Sequence, residues 1–138
     1  MTDLRVVIDT NVLLVSISSR SSLHWIYQAL IAERYQLLVS SAILLEYEEL
    51  IARNMGTQAA EAVMGLLEEG IAVERVDPRY NWYLIKADPD DDKFVDCAIA
   101  GQADCIVTYD RHFEALRQVD FPQVEVVSPE AFRARLAN

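Results

Sequence analysis

Two kinds of apolar segment alternate along the chain. Val6-Val7-Ile8 is a short, unbroken β-branched run that stops at the polar residues Asp9-Thr10-Asn11. YQLLVS (35–40) and CIVTYD (105–110) are built the same way. Unbroken apolar runs of this length predict strands buried on both faces, as in a parallel sheet covered by helices. IAVERV (71–76) alternates and predicts a strand near a sheet edge, and VEVV (124–127) predicts a final strand. The segments between these runs repeat every three to four residues. Leu23, Ile26, Tyr27, Leu30 and Ile31 mark a helix within 21–33, with Ser21 or Ser22 as its cap. Ile43, Leu44, Tyr47, Leu50 and Ile51 mark a second within 41–54, and residues 57–70 a third, starting at Thr57 and stopping at Gly70. Residues 90–103 read as a helix with acids at its start, and 111–118 as a short helix. A last helix opens with Ser128 as cap and Pro129 in the first turn. Residues 77–87 fit neither pattern. Strands alternating with helices predict an α/β domain with a mostly parallel sheet.

Composition narrows the class. At 138 residues the chain suits one domain with a real core, and 52% hydrophobic with 25% charged residues is a globular balance. No apolar run reaches membrane-spanning length, and MTDLRVVIDTNVLL does not read as a signal peptide. Cys97 and Cys105 are too few and too oddly spaced for a disulfide framework or a zinc site, so they read as buried small hydrophobes in a reduced, cytoplasmic protein. The net charge of −10 argues against a nucleic-acid coat protein, which would be basic. It leaves room for an enzyme whose bound cations neutralise that charge locally, or for a basic protein partner.

The acids carry the chemistry. Strand ends of a parallel sheet share one rim, and sites form beyond their C-terminal ends. Asp9 ends the first strand, Asp110 ends CIVTYD, and Glu46 lies early in the helix that follows the second strand. DPDDDKFVDCA (88–98) adds Asp88, Asp90, Asp91, Asp92 and Asp96 around one lysine, Lys93. The start of that helix is expected at the opposite rim if a strand leads directly into it. A long irregular connection comes first, so its placement stays open. Helix capping uses one or two acids and leaves the rest of the cluster unexplained. Carboxylates gathered without His or Cys suit Mg²⁺ or Mn²⁺, ions that clamp phosphate oxygens and activate water for in-line attack. The chain has no Gly-rich phosphate loop and no GxSxG. His24 and His112 lack partners at ligand spacing and read as structural or exposed, with His112 also a candidate for substrate contact. Trp82 reads as core or as a base-stacking side chain. Arg20, Arg53 and Arg111 are candidate phosphate contacts.

VVIDTNVLL, SSAILLEYEELI and DPDDDKFVDCAIAGQADCIVTYD, in this order and spacing, resemble the PIN domain family, most of all bacterial PIN-type (VapC-like) toxin components of toxin–antitoxin systems. The resemblance runs from about Val6 to VEVVSPEAF. It implies a single PIN-like nuclease domain over 1–138, a three-layer α/β/α sandwich, and a Mg²⁺- or Mn²⁺-dependent endoribonuclease acting on single-stranded RNA. Carried over, Asp9, Glu46 and Asp110 match the family's metal-binding acids. Aligning the helix by Phe94 and Ala98 matches the third Asp to Asp91, and counting back from Asp110 matches it to Asp92. The first alignment is preferred and both residues are candidates. Asp96 matches a frequently acidic position that holds a second metal or binds one through water. Asn11 and Thr108 resemble polar positions that orient the carboxylates. A small antitoxin with a basic segment and a homodimer are the partners implied. Two rival classes stand beside this one. An aspartate-based phosphoryl-transfer enzyme would want a second Asp where Asn11 stands, and a non-catalytic scaffold would have no use for so repulsive a set of acids.

Overall fold

The computed structural model describes residues 4–137. Five parallel strands form one sheet: β1 (Arg5–Ile8), β2 (Gln36–Val39), β3 (Val73–Arg75), β4 (Cys105–Val107) and β5 (Val126–Val127), in the order β3-β2-β1-β4-β5. The helices are α1 (Thr10–Ile17), α2 (His24–Ile31), α3 (Ser41–Met55), α4 (Thr57–Glu69), α5 (Asp92–Ala100) and α6 (Pro129–Ala137). They flank the sheet in an α/β/α arrangement. The central strands are buried almost completely, with Val6, Val7, Ile8, Leu37, Leu38, Cys105, Ile106 and Val107 all inaccessible to solvent. This is the environment that their unbroken apolar runs require. β3, the alternating segment, lies at one edge and β5 at the other.

Strand order fixes where a site can form. From β1 the chain moves outward through β2 to β3, then returns to place β4 on the other side of β1. The reversal point lies between β1 and β4, where Val6, Val7 and Ile8 pair with Cys105, Ile106 and Val107. Open α/β sheets bind ligands beyond the strand ends at such a point. Asp9 and Thr108 are the first residues past the two strands there.

Several sequence expectations change. The polar residues after β1 open a helix that the sequence pattern did not mark. Asp9 caps α1, and the Asp9 carbonyl accepts from the Leu13 N–H. The short apolar stretch Val12–Val15 is this helix, too brief to declare its period in the sequence. Residues 111–118 form a 3₁₀ segment, not an α-helix. Asp90 and Asp91 belong to a 3₁₀ turn (Pro89–Asp91), α5 begins only at Asp92, and it ends at Ala100. Leu23, not a serine, is the N-cap of α2, while Ser21 Oγ accepts from the Leu23 N–H.

The start of α5, whose rim the sequence left open, lies at the C-terminal rim. A helix between parallel strands runs back from the C-terminal rim, so its first turn lies at the rim where strands end. Residues 77–87 lead to that start by running beside α5: the Trp82 N–H donates to Asp96 Oδ1 (3.0 Å) and the Ile85 N–H to Asp92 Oδ1 (2.9 Å). At the far end of α5, Gly101 fits tightly. A Cβ there would lie 2.7 Å from Leu38 Cδ1 and 3.3 Å from Val76 Cγ2.

Candidate metal centre at the C-terminal rim

Each acid reaches the rim by a different local route. Asp9 is placed by the end of β1, where its N–H donates to the Val107 carbonyl (3.0 Å). Glu46 is placed by α3, which Ser40 caps through Oγ to the Ile43 N–H (3.2 Å). The next residue, Tyr47, is fully buried, and its hydroxyl donates to the Ile8 carbonyl. Tyr47 therefore ties α3 to the end of β1 and holds Glu46 beside Asp9. Asp110 follows β4 and accepts from the His112 N–H (2.9 Å). Asp91 arrives from the 3₁₀ turn, whose first carboxylate, Asp88, accepts from the Asp90 N–H (3.1 Å).

Neutral hydroxyls orient these carboxylates. Thr108 Oγ1 donates to Asp9 Oδ2 (2.7 Å) and accepts from the Asp110 N–H (2.9 Å), so one buried threonine touches both acids of the switch point. Thr10, also buried, donates through Oγ1 to Glu46. Asn11 is exposed, and among the described residues it makes no side-chain hydrogen bond to these acids. The hydroxyl next to Asp9 in the chain, Thr10, orients Glu46, and Thr108 orients Asp9. Two basic groups enter. Lys93 Nζ lies 2.9 Å from Glu46 Oε1, and His112 Nδ1 lies 3.5 Å from Asp91 Oδ2 and 3.4 Å from Asp110 Oδ1.

The electrostatics show which acids face one another. Burial raises the Asp9 carboxyl above its ordinary pKa, and the charges of Asp110 and Glu46 push it further, against the Thr108 hydrogen bond. Asp91 is pushed up to about 7, by burial first and then by the charges of Asp110, Asp88 and Asp9. Its Oδ2 is buried and has no hydrogen-bond partner, a costly state for a carboxylate oxygen. Asp9, Glu46, Asp91 and Asp110 thus share one rim with Asp88, close enough for their charges to act on one another; among the described residues the group whose ligand atoms all lie within 4.8 Å of one another is Asp88, Asp91 and His112.

Asp92 and Asp96 do not join them. They stand four residues apart on α5 and so share one helical stripe, which faces the 77–87 segment. Both are buried, and each accepts the main-chain hydrogen bond described above. Burial raises the Asp96 carboxyl, the Trp82 N–H lowers it, and the charge of Asp92 raises it further. These two acids satisfy the backbone of an irregular segment. Asp91, one residue before Asp92 and still in the 3₁₀ turn, faces the charges of Asp110, Asp88 and Asp9 instead.

Thr10, Lys93 and Asp88 are rim groups that the sequence alone did not single out. Their signal was adjacency: Thr10 follows Asp9, and Asp88 and Lys93 bracket Asp91. His112 sits between two acids although it has no sequence partner at ligand spacing. The other candidates lie elsewhere. His24 Nδ1 is 2.8 Å from the Ser16 carbonyl, Arg53 pairs with Glu49, and burial pushes both thiols to about 12.

Comparison with known proteins extends this picture. A family model described as PIN domain matches residues 5–112. Comparison with curated protein sequences finds no match. Solved structures with the same fold include VapBC2 from Rickettsia felis bound to a promoter DNA fragment, with TM-score 0.61 and 15% identity over 91% of this chain and 98% of that one. VapC20 from Mycobacterium tuberculosis, a sarcin–ricin loop cleaving toxin, has TM-score 0.55 and 17% identity over 80% of this chain and 93% of that one. DNA-bound VapBC from Salmonella typhimurium has TM-score 0.57 and 17% identity over 91% and 98%.

Proposed function

The chain belongs to the PIN domain family, and from that membership we propose that it is a divalent-metal-dependent endoribonuclease cutting single-stranded RNA. One observation supports this above the others. Four carboxylates from distant parts of the chain meet at the switch point of the sheet, and Asp91 Oδ2 is buried there without a partner. Hard oxygen donors fit Mg²⁺ or Mn²⁺, and a cation would relieve both the mutual repulsion and the orphaned oxygen.

Asp9, Glu46, Asp91 and Asp110 would hold the ion. A divalent ion supplies Lewis-acid polarisation of a phosphate oxygen and acidifies an attacking water. The protein supplies the rest. Thr108 and Thr10 fix carboxylate orientation without neutralising charge, while Lys93, 2.9 Å from Glu46, balances part of it. Lys93 offsets part of the negative potential that would repel an RNA backbone. Asp92 and Asp96 hold the segment that leads into Asp91, and so act as positioning residues. Phosphoryl transfer to an aspartate is less well supported, because Asn11 stands where a second Asp would be needed and is exposed.

The chain also reads as the toxin of a toxin–antitoxin pair. The solved VapBC structures and the loop-cleaving M. tuberculosis toxin support this by likeness of fold. A net charge of −10 suits an antitoxin with a basic segment. A homodimer and a cytoplasmic location belong to the same reading; among the described residues no helix is long and apolar enough to cross a membrane.

Cleavage of end-labelled single-stranded RNA with Mg²⁺ or Mn²⁺ tests the proposal. The expected products carry a 5′-phosphate and a 3′-hydroxyl. Asp9→Asn should lower the rate by more than about 100-fold, beyond the loss that outer-shell changes cause. Equal activity in that variant would remove the site assignment.

A further inference from the structure

Asp88, Asp91 and His112 each offer a ligand atom, and these three atoms lie within 4.8 Å of one another. An acidic cluster alone would mean little. Here a second feature points to a ligand: Asp91 is only 9% exposed, and the carboxylate oxygen it turns toward His112 is the one with no hydrogen-bond donor. The imidazole reaches this place because the chain turns into a 3₁₀ segment directly after Asp110, and the His112 N–H is fastened to the Asp110 carboxylate. The ring nitrogen Nδ1 is thereby held between two acids, at 3.4 and 3.5 Å. The ring is still partly open to solvent, so an ion can enter from that side.

A nitrogen donor changes what the rim prefers. Carboxylates alone hold Mg²⁺, Ca²⁺ and Mn²⁺ alike, whereas an added imidazole contributes to binding a first-row transition ion, Mn²⁺ included, and little to binding Mg²⁺. We infer that His112 is a metal ligand that, with Asp88 and Asp91, makes a mixed nitrogen–oxygen site selecting a transition ion over Mg²⁺. This rests on the carboxylate site proposed above and goes beyond it: it assigns two further residues and a metal preference. The competing role for His112 is a counter-charge, protonated and paired with Asp91 and Asp110 and absent from the ligand set. The two roles make opposite predictions once a metal is bound.

Mn²⁺ is the probe, with untagged protein and two readouts. Calorimetric titration of wild type, His112→Ala and His112→Asp gives affinities for Mn²⁺ and Mg²⁺. Pulsed electron paramagnetic resonance of the Mn²⁺ complex detects nitrogen bound to the metal. His112 is surface-accessible, and circular dichroism confirms that each variant is folded. The expected result is nitrogen coupling in wild type that both variants lose. His112→Ala should weaken Mn²⁺ by about tenfold or more, since even outer-shell ligand partners cost that much, while Mg²⁺ binding changes far less. His112→Asp should narrow the gap between the two metals. Mn²⁺ bound without nitrogen coupling would overturn this inference and leave the carboxylate site standing. Failure of both metals to bind wild type would overturn the inference and the nuclease reading together.

Discussion

The two rims of the sheet treat charge in opposite ways. At the N-terminal rim Arg5 opens β1 and is fully engaged. Its guanidinium meets both oxygens of Glu74 (3.1 and 3.0 Å) and donates to the Gly101 carbonyl (2.8 Å), while its N–H donates to Asp104 (2.8 Å). Each partner lowers the energy of the other's charged form: Arg5 is raised and Glu74 lowered from their ordinary pKa values, chiefly by their mutual hydrogen bonds. At the C-terminal rim the shifts run the other way. Asp9 and Asp91 are raised by burial and by like charges, and the buried Asp91 Oδ2 has only the His112 ring nitrogen, 3.5 Å away, to face. The first rim is complete as it stands. The second gathers like charges that raise one another's pKa values, which is the pattern expected of a functional site and not of a structural ion-pair network.

The sharpest way to break this contrast is to add a divalent cation. Mn²⁺ at about one hundred times its dissociation constant should stabilise the fold by about 2.7 kcal/mol. For a domain of this size that is a rise in Tm of roughly 10 °C. Asp9→Asn should lose most of the rise. Thermal melting in chelator and in Mn²⁺ measures it, and an unchanged Tm in wild type would mean the C-terminal rim is no metal centre.

The second test separates neighbours within DPDDDKFVDCA. Asp92→Ala strips the buried Ile85 N–H of its acceptor and should cost about 1–3 kcal/mol in chemical denaturation. It should keep the Mn²⁺-induced rise. Asp91→Ala should do the reverse, losing the rise without comparable damage to the metal-free fold. If both variants behave alike, the division of the acids into a metal-facing group and a backbone-satisfying pair is wrong.

That division was only half legible in the sequence. The strands announced themselves because burial on both faces demands unbroken apolar runs, and Asp9 and Asp110 followed from where those runs stop. Glu46 was legible because its neighbours are less polar than those of Glu48 and Glu49, which are exposed. Asp91 and Asp92 could not be told apart, because residues one apart on a helix start differ by rotation alone. What decides between them is the course of 77–87, a segment without periodicity whose main-chain groups need acceptors. Asp92 and Asp96 supply those acceptors, and no local pattern encodes that pairing. Thr10 was missed for a related reason: α1 is two turns long, so its first residues read as the end of a strand.

The pH response of metal-free protein gives a third, smaller contrast. Asp91 in the folded protein titrates near 7, well above an unfolded aspartate at about 3.9. A carboxyl raised on folding holds its proton more firmly in the native state. Its contribution to stability is therefore complete below about pH 4, declines as pH rises, and is lost above about pH 7. Asp91→Asn removes the charge and with it this decline. In chelator, the variant should melt higher than wild type at pH 8, and the two should converge near pH 4. Parallel curves across that range would show that Asp91 keeps an ordinary titration in the fold.

The smallest effect belongs to the completed rim. Glu74→Gln removes one charge from the Arg5 network, but the Glu74 side chain is 42% exposed and Arg5 keeps the Gly101 carbonyl. Solvent screens such a pair, so the expected loss is about 0–1 kcal/mol by urea denaturation. What sharpens the comparison is the second measurement. The two rims share no hydrogen-bond partner, and changes at separated sites add independently. The Mn²⁺-induced rise in Glu74→Gln should therefore equal that of wild type. A smaller rise would show that charge at one end of the sheet is felt at the other. The acids of the C-terminal rim would then have to be understood through the field of the whole molecule and not through their own neighbours.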